Sequence, residues 1–589
     1  MMQNKKLFSD FAPVSKAQWK EKIIVDLKGA DFDKKLVWHT DAGFDVQPMY
    51  TREDLKDLTR QIPLKNAEDA SASNAWRINE LFFVRDIEKA HQRVLHVLEN
   101  GADSLAFVFS TQPDFSQINI LLEEVDAEKI ELNFRLPDPV DLIRQLNQLA
   151  DKRGWNKANM KGSVYCDPVS EVKNDFSEVK TLLESVKSFP KFHCLTLDVS
   201  GFYNRGGSTV TELGFALAYG AETLQKLGEA GFEPEEIAAR LRFNFAVGSQ
   251  YFFEMAKFRA FRYLWAQVLG AYGVKEASVY IHATNALLNK TLYDPYVNML
   301  RTTTETMSAV LGGVDAFTVM PFDAVFEEPT KRAIRVARNQ QNLLKEESFF
   351  HKVADPAAGS YYIENLTDQL ISESWKLFLE VDEKGGYLVA KEQGIVDERL
   401  NKEAQNKIQK VKQRKQSVLG VNIYPNPTEK LELTLPENYF SNLFRASADV
   451  EKLRYQTDVY AQTNKRPVVW LFTYGDLTMR RARAQFASGF FGCAGYEIVD
   501  HPGFESLEKG IQQAQQEKPD VVVLCGSDED YKTMALPAFE ALKKNTLVVL
   551  AGYPADQLEE LKAAGMEHFI HVRSNLMEEL EKYQQVLGI

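Results

Sequence analysis

The 589 residues carry 70 basic against 83 acidic side chains, a net charge of −13, so no broad positive field exists to hold nucleic acid or an anionic membrane surface. With 44% hydrophobic and 26% charged residues, the chain has a globular composition and excludes wholesale disorder, and its length predicts two or three domains. Cys166, Cys194, Cys493 and Cys525 stand far apart without a CxxC pair, which provides neither a disulfide framework nor a zinc spacing and fits a reducing cytoplasm. The segment 1–22 has no apolar signal-like core, and no apolar run of about 18 residues occurs, so neither export nor membrane spanning is expected.

From about residue 100 to 360, short β-rich runs alternate with longer amphipathic segments, the pattern of βα units around a parallel sheet. The strands expected are SLAFVF (104–109), FHCLTLDV (192–199), LRFNFAV (241–247), ASVYIHA (277–283) and DAFTVM (315–320). Between them, 207–229, 249–272 and 293–311 space apolar side chains by three and four, as helices do, and the stripe Phe252, Met255, Phe258 and Phe261 is expected in the core. An eight-fold barrel is the expected arrangement, with an open doubly wound sheet the alternative that periodicity leaves open.

Residues 364–418 read as a charged helix ending in NKIQKVKQRKQS, a basic run expected to be a solvated face rather than a phosphate-binding tract. The two prolines of VNIYPNPTEKLEL then break the pattern, which marks an interdomain connector. PVVWLFTYG (467–475), DVVVLCG (520–526) and NTLVVLAG (545–552) are apolar runs bounded by glycine and followed by helical stretches. They predict a small doubly wound α/β domain from about 465 to 589, with any ligand at the strand ends TYGD, CGSD and AGYP.

Reactive signatures are scarce. The nine histidines form no i, i+4 pair and no H-E-x-x-H arrangement, His91 and His96 read as surface residues, and His568 and His571 lack a chelating spacing. There is no P-loop, GxSxG or GxGxxG before a helix. SGFYNRGGS (200–208) follows a strand and reads as a barrel-top turn, with ligand contact as the alternative. The residues by themselves therefore describe a barrel plus a flavodoxin-like domain that binds a small molecule.

Five segments carry the reading further. LVWHTDAGFDVQPMYTREDL (36–55), FEMAKFRAFRYLWAQ (253–267), DPYVNMLRTTTETMSAVLGG (294–313), ARNQQNLLKEES (337–348) and VADPAAGSYYIENLT (353–367) resemble, in order, the methylmalonyl-CoA mutases, a cobalamin-dependent acyl-CoA mutase family. The resemblance implies an N-terminal arm for subunit contact (1–50), a TIM barrel (51–395), a helical connector (396–464) and a flavodoxin-like domain of cobalamin-binding type (465–589). In that family the barrel threads the pantetheine arm of the acyl-CoA along its axis. The small domain holds adenosylcobalamin through a D-x-H-x-x-G loop whose histidine is the lower axial ligand of cobalt.

At the matching loop this chain reads Asp476-Leu477-Thr478-Met479-Arg480-Arg481: the aspartate stays, threonine stands at the histidine position and Arg481 at the glycine. The family's SxL loop has become Gly526-Ser527-Asp528, and its Gly-Gly turn Ala551-Gly552. In the barrel, Leu81 matches a tyrosine that faces substrate and corrin, Tyr203 a histidine that contacts the thioester carbonyl, and Phe202 the tyrosine before it. Tyr280, Thr284, Leu288 and Thr318 replace arginine, glutamine, tryptophan and histidine, while His282 keeps the family residue. D-P-W-G-G-S has become Asp355-Pro356-Ala357-Ala358-Gly359-Ser360, and 162–175 has no match to the arginine-bearing substrate loop.

The resemblance thus implies a heterodimer's small subunit. No catalytic, cofactor-binding or metal residue is expected on this chain, which would stabilise a catalytic large subunit that binds the adenosylcobalamin and converts between methylmalonyl-CoA and succinyl-CoA. Two other readings stand beside it. One is an active mutase with atypical corrin binding, which must tolerate Thr478. The other is an acyl-CoA-binding module, which needs bases such as Arg205 or Lys290 at the barrel mouth.

Overall fold

The computed structural model describes residues 12, 14–55, 58, 60–63, 74–169, 176–275, 278–326 and 328–589. Most of the first 13 residues of the expected arm, Ala277 of an expected strand and 170–175 of the expected substrate-loop region lie outside them.

Eight strands form the larger sheet: β1 (Arg77–Val84), β2 (Ser104–Phe109), β3 (Glu131–Arg135), β4 (Lys161–Val164), β5 (Lys191–His193, continuing as Leu195–Asp198), β6 (Leu241–Val247), β7 (Tyr280–Asn285) and β8 (Ala316–Thr318). Each pairs in parallel with its neighbours in sequence, and β8 returns to β1. β5 closes the ring: its first half pairs with β4 (Gly162 opposite Phe192), and past Cys194 its second half pairs with β6 (Leu197 opposite Phe243). This is the expected (β/α)8 barrel, and the ring closure excludes the open sheet.

Helices Thr209–Glu229, Tyr251–Ala271 and Pro295–Leu311 pack outside the barrel where the apolar spacing placed them. Met255, Phe258 and Phe261 are buried as expected, but Phe252 is 48% exposed. The buried position of that first turn belongs to Phe253, which stacks on Phe44 at 5.6 Å and meets Trp38 edge-on at 5.3 Å. Both partners belong to the N-terminal segment, and their aromatic cover selects Phe253 over Phe252.

The basic run also departs from expectation. Helix Ile395–Lys412 lies across the loop that follows β5, and Lys407, only 8% exposed, donates to the carbonyls of Gly206 and Gly207 at 2.8 Å each. Lys412 pairs with Asp449 at 2.6 Å and Lys410 with Asp41. The face is thus engaged rather than solvated, because it fastens the connector to the barrel top. Gly206 permits the approach: its φ is +99°, and a β-carbon there would stand 2.6 Å from that of Ala404.

Beyond the connector, β9 (Val468–Thr473), β10 (Glu497–Asp500), β11 (Val521–Cys525), β12 (Leu547–Ala551) and β13 (Phe569–Ile570) form a parallel sheet in the order β10-β9-β11-β12-β13. That 2-1-3-4-5 arrangement is flavodoxin-like. Leu288 of the barrel, Val418 and Val421 of the connector and Phe490 and Phe491 of this domain share one apolar cluster, and Tyr293 donates to Asp458 at 2.6 Å. Among the described residues, no helix is long and apolar enough to cross a membrane.

Gly206→Ala is expected to force a strained backbone and a steric clash at the connector, costing about 1–3 kcal/mol. Thermal denaturation should show the midpoint falling by several degrees; an unchanged midpoint would mean that the connector seat is not tight.

Candidate functional site

Residues alternating along the barrel strands turn a polar face inward. Asn79 donates to Thr318 Oγ1 at 2.6 Å, Ser104 to Asn79 at 2.8 Å, and Ser163 to Asn133 Oδ1 at 2.7 Å. From β6 the guanidinium of Arg242 reaches residues of β3 and β4, donating from Nη1 to Asn133 Oδ1 at 2.7 Å and to Ser163 Oγ at 2.6 Å. Nearer the amino ends of the strands, Tyr280 donates to Glu131 at 2.6 Å. Above this layer, toward the carboxyl ends, lies a cavity of about 260 Å³ whose lining includes Leu81, Arg135, Asp198, His282, Thr318 and Met320. Burial, reinforced by the charge of Arg242, holds the imidazole of His282 well below its usual range, so it is neutral; its Nε2 lies 2.8 Å from Thr318 Oγ1.

Of the barrel positions singled out by sequence, Leu81 and Thr318 share this cavity with His282 and Thr284, and Tyr203 does not. Tyr203 lies beneath the connector, with its ring between the ammonium groups of Lys257 and Lys407 at 5.2 and 5.3 Å from the centroid. Its hydroxyl occupies the space that a side chain at position 248 would need. Burial, with Glu254 and Glu212 nearby, pushes this phenol well above its ordinary value and keeps it neutral. Leu288 belongs to the interdomain cluster. Arg205 pairs with Asp397 at 2.6 Å and Lys290 with buried Glu305 at 2.9 Å, so both bases are already matched to carboxylates.

At the small domain, helix Leu477–Gly492 starts directly after β9, and Asp476 is its N-cap, accepting from Met479 N at 2.8 Å. Thr478 stands in the first helical turn and is exposed. Ser527 caps helix Asp528–Leu542 in a reciprocal capping box with Asp530. Asp530 also accepts from Asp476 N at 3.0 Å, tying the two loops together. Buried Tyr531 lies against the ends of β11 and β12, donating to Ala551 O at 2.7 Å and accepting from Gly526 N at 3.2 Å. Gly552 is flanked by Tyr531 and Arg483.

The sequence model of the methylmalonyl-CoA mutase family matches residues 113–465. The chain is 40% identical to the methylmalonyl-CoA mutase small subunit of Porphyromonas gingivalis, over 100% of this chain and 99% of the relative. The chain belongs to the methylmalonyl-CoA mutase family. It is also 30% identical to the methylmalonyl-CoA mutase small subunit of Streptomyces virginiae, with 88% and 87% covered, and 29% identical to a methylmalonyl-CoA mutase of Rhizobium meliloti, with 66% and 61% covered.

Within this mutase fold, sequence reading missed Arg242, Arg135, Lys407 and Tyr531. A signal existed for the first: Arg242 and Asn244 alternate with phenylalanines in LRFNFAV, and a period-two polar face in a buried strand marks a polar barrel interior.

Beside Tyr203, fully buried Lys257 lies 2.8 Å from Glu212 and 2.5 Å from Glu254, and donates to Ala246 O at 2.6 Å. Burial raises the carboxyl of Glu212 to about 7, against the pull of Lys257. A carboxyl raised above its unfolded value of 4.5 contributes stability that is full below 4.5 and lost as pH climbs through about 7. The thermal midpoint of the Glu212→Gln variant should therefore depend less steeply on pH between 5 and 7 than that of the native chain. Parallel pH profiles would show that Glu212 does not titrate in this window.

Proposed function

We propose that this chain is the non-catalytic small subunit of a heterodimeric methylmalonyl-CoA mutase, and that its large partner holds adenosylcobalamin and substrate and interconverts methylmalonyl-CoA and succinyl-CoA. The observation that carries the reading is the edge where the corrin would dock. Thr478 there is an exposed residue in the first turn of a helix, and a threonine hydroxyl is a poor ligand for cobalt. The Asp476 carboxylate is used to cap that helix. Tyr531 is buried against the strand ends, bonded to Ala551 O.

The barrel supports the same reading. A pantetheine arm needs space inside the barrel, and here Arg242, Asn133 and Ser163 bond to one another there. The family resemblance to two small subunits over most or all of their length supports a large-subunit partner, and a permanent pair of this kind would bury a large interface.

The test is to mix the purified chain with adenosylcobalamin, desalt it, and record corrin absorbance with and without a coexpressed large subunit. The pair should retain corrin and the chain alone should not. Stoichiometric corrin on the chain alone would make it an atypical active mutase instead. Thr478→His by itself is expected to gain no corrin, because the cap and Tyr531 remain; uptake by that variant would show that the axial ligand was the sole defect.

A further inference from the structure

We infer that a three-way junction at buried Asp458 locks the small domain to the barrel, so that the two domains move and unfold as one body. The inference does not depend on which subunit holds the corrin.

Domains joined by a connector ordinarily shift against each other unless the interface between them is extensive, and closure on a ligand needs a hinge of a few residues free to change backbone angles. Helix Ala448–Tyr460 stands where such a hinge would have to work, between the barrel and the first strand of the small domain. It carries Glu451, Arg454 and Asp458 at i, i+3 and i+7, hence on one face, and all three are buried.

That face grips the barrel loop between β7 and helix Pro295–Leu311, residue by residue. Glu451 accepts from Leu292 N at 2.8 Å, the guanidinium of Arg454 stacks 4.1 Å over the ring of Tyr293, and Asp458 Oδ2 accepts from the Tyr293 hydroxyl at 2.6 Å. Asp294, next in the loop, adopts a φ of +51° and donates its amide to Glu429 of the connector at 2.8 Å. Asp458 then joins the remaining parts. Its Oδ2 also accepts from Leu431 N of the connector at 3.2 Å, and its Oδ1 accepts at 2.7 Å from Arg466, which donates in turn to Gly495 O of the small domain at 2.6 Å. Away from that face, Gln584 on the C-terminal helix Leu576–Leu587 donates to Leu453 O at 2.8 Å and to Thr457 Oγ1 at 3.0 Å.

A hinge motion at this helix would break bonds to barrel, connector and small domain together. Glu451 is 0% and Asp458 4% exposed, and a buried carboxylate parted from its donors is costly. Arg454 contributes less, because its Nε and Nη1 are buried without partners among the described residues, so the two carboxylates carry the lock.

The experiment is hydrogen exchange read by mass spectrometry on the full-length chain, in its complex where one forms, together with calorimetry. Peptides containing Leu292, Asp294 and Leu431, whose amides bond the buried carboxylates, are compared with β2 of the barrel and β11 of the small domain. In the native protein the junction should exchange within tenfold of both strands, and calorimetry should show one transition. Asp458→Asn keeps the shape of the side chain and removes its charge, and it should speed exchange at the junction at least tenfold more than at either strand. The lock is overturned by native junction exchange more than tenfold faster than the strands, by two native calorimetric transitions, or by a junction effect of Asp458→Asn less than tenfold beyond that on the strands. Should Asp458→Asn not fold, Tyr293→Phe, which removes one hydroxyl and leaves Arg466 on Asp458, carries the same comparison with the same expected and overturning results.

Discussion

The bridge from Arg242 to Asn133 and Ser163 is the constraint around which the barrel is arranged. A parallel barrel fills its interior with side chains from alternate strands, ordinarily branched apolar ones. Here the interior layer is polar, and buried polar groups must satisfy one another or lose stability. Asn133 does much of this, donating to Ser104 and Glu131 at 3.1 and 3.0 Å while its carbonyl accepts from Arg242 and Ser163. The strands cannot slide past each other without breaking several of these bonds, so the network favours this register.

The outer layer depends on the same principle of internal pairing. Lys257, Glu212 and Glu254 are fully buried between two helices and the end of β6, and Lys407 closes the loop beneath the connector. Removing one member of such a set would leave a buried charge without its partner, which costs far more than the set contributes as a whole. The connector is thereby joined to the barrel by charge and close backbone approach, and to the small domain by the apolar cluster around Val418 and Val421.

What the sequence made legible follows from which faces are apolar. β2 and β6 were readable to the residue because SLAFVF and LRFNFAV are dense in β-formers. β3 and β4 were not, because Glu131, Asn133, Gly162 and Ser163 place polar or small groups where a buried parallel strand is usually apolar. β10 and β13 are short edge strands with little periodicity to detect. At the site, Leu81, Thr318 and Thr478 were singled out through the family resemblance alone, and the structure brings the first two to one cavity. The seat of Tyr203 outside the cavity was not legible, because it depends on a helix two hundred residues away in sequence, whose Lys407 reaches back to Gly206.

The two candidate sites differ in how fully their polar groups are matched to one another. A loop that waits for a ligand must leave donors and acceptors unmatched until the ligand arrives, at a cost to the free protein. At the small domain, Asp476, Ser527, Asp530 and Tyr531 are matched to one another and to the backbone. In the barrel, Arg242 Nε, Asn244 Oδ1 and His282 Nδ1 are all buried without partners among the described residues. Arg480 Nε and Arg483 Nε, on the helix that Asp476 caps, are also buried without partners among the described residues, so unmet hydrogen-bonding capacity is present in both domains but at the small domain it lies outside the capping set.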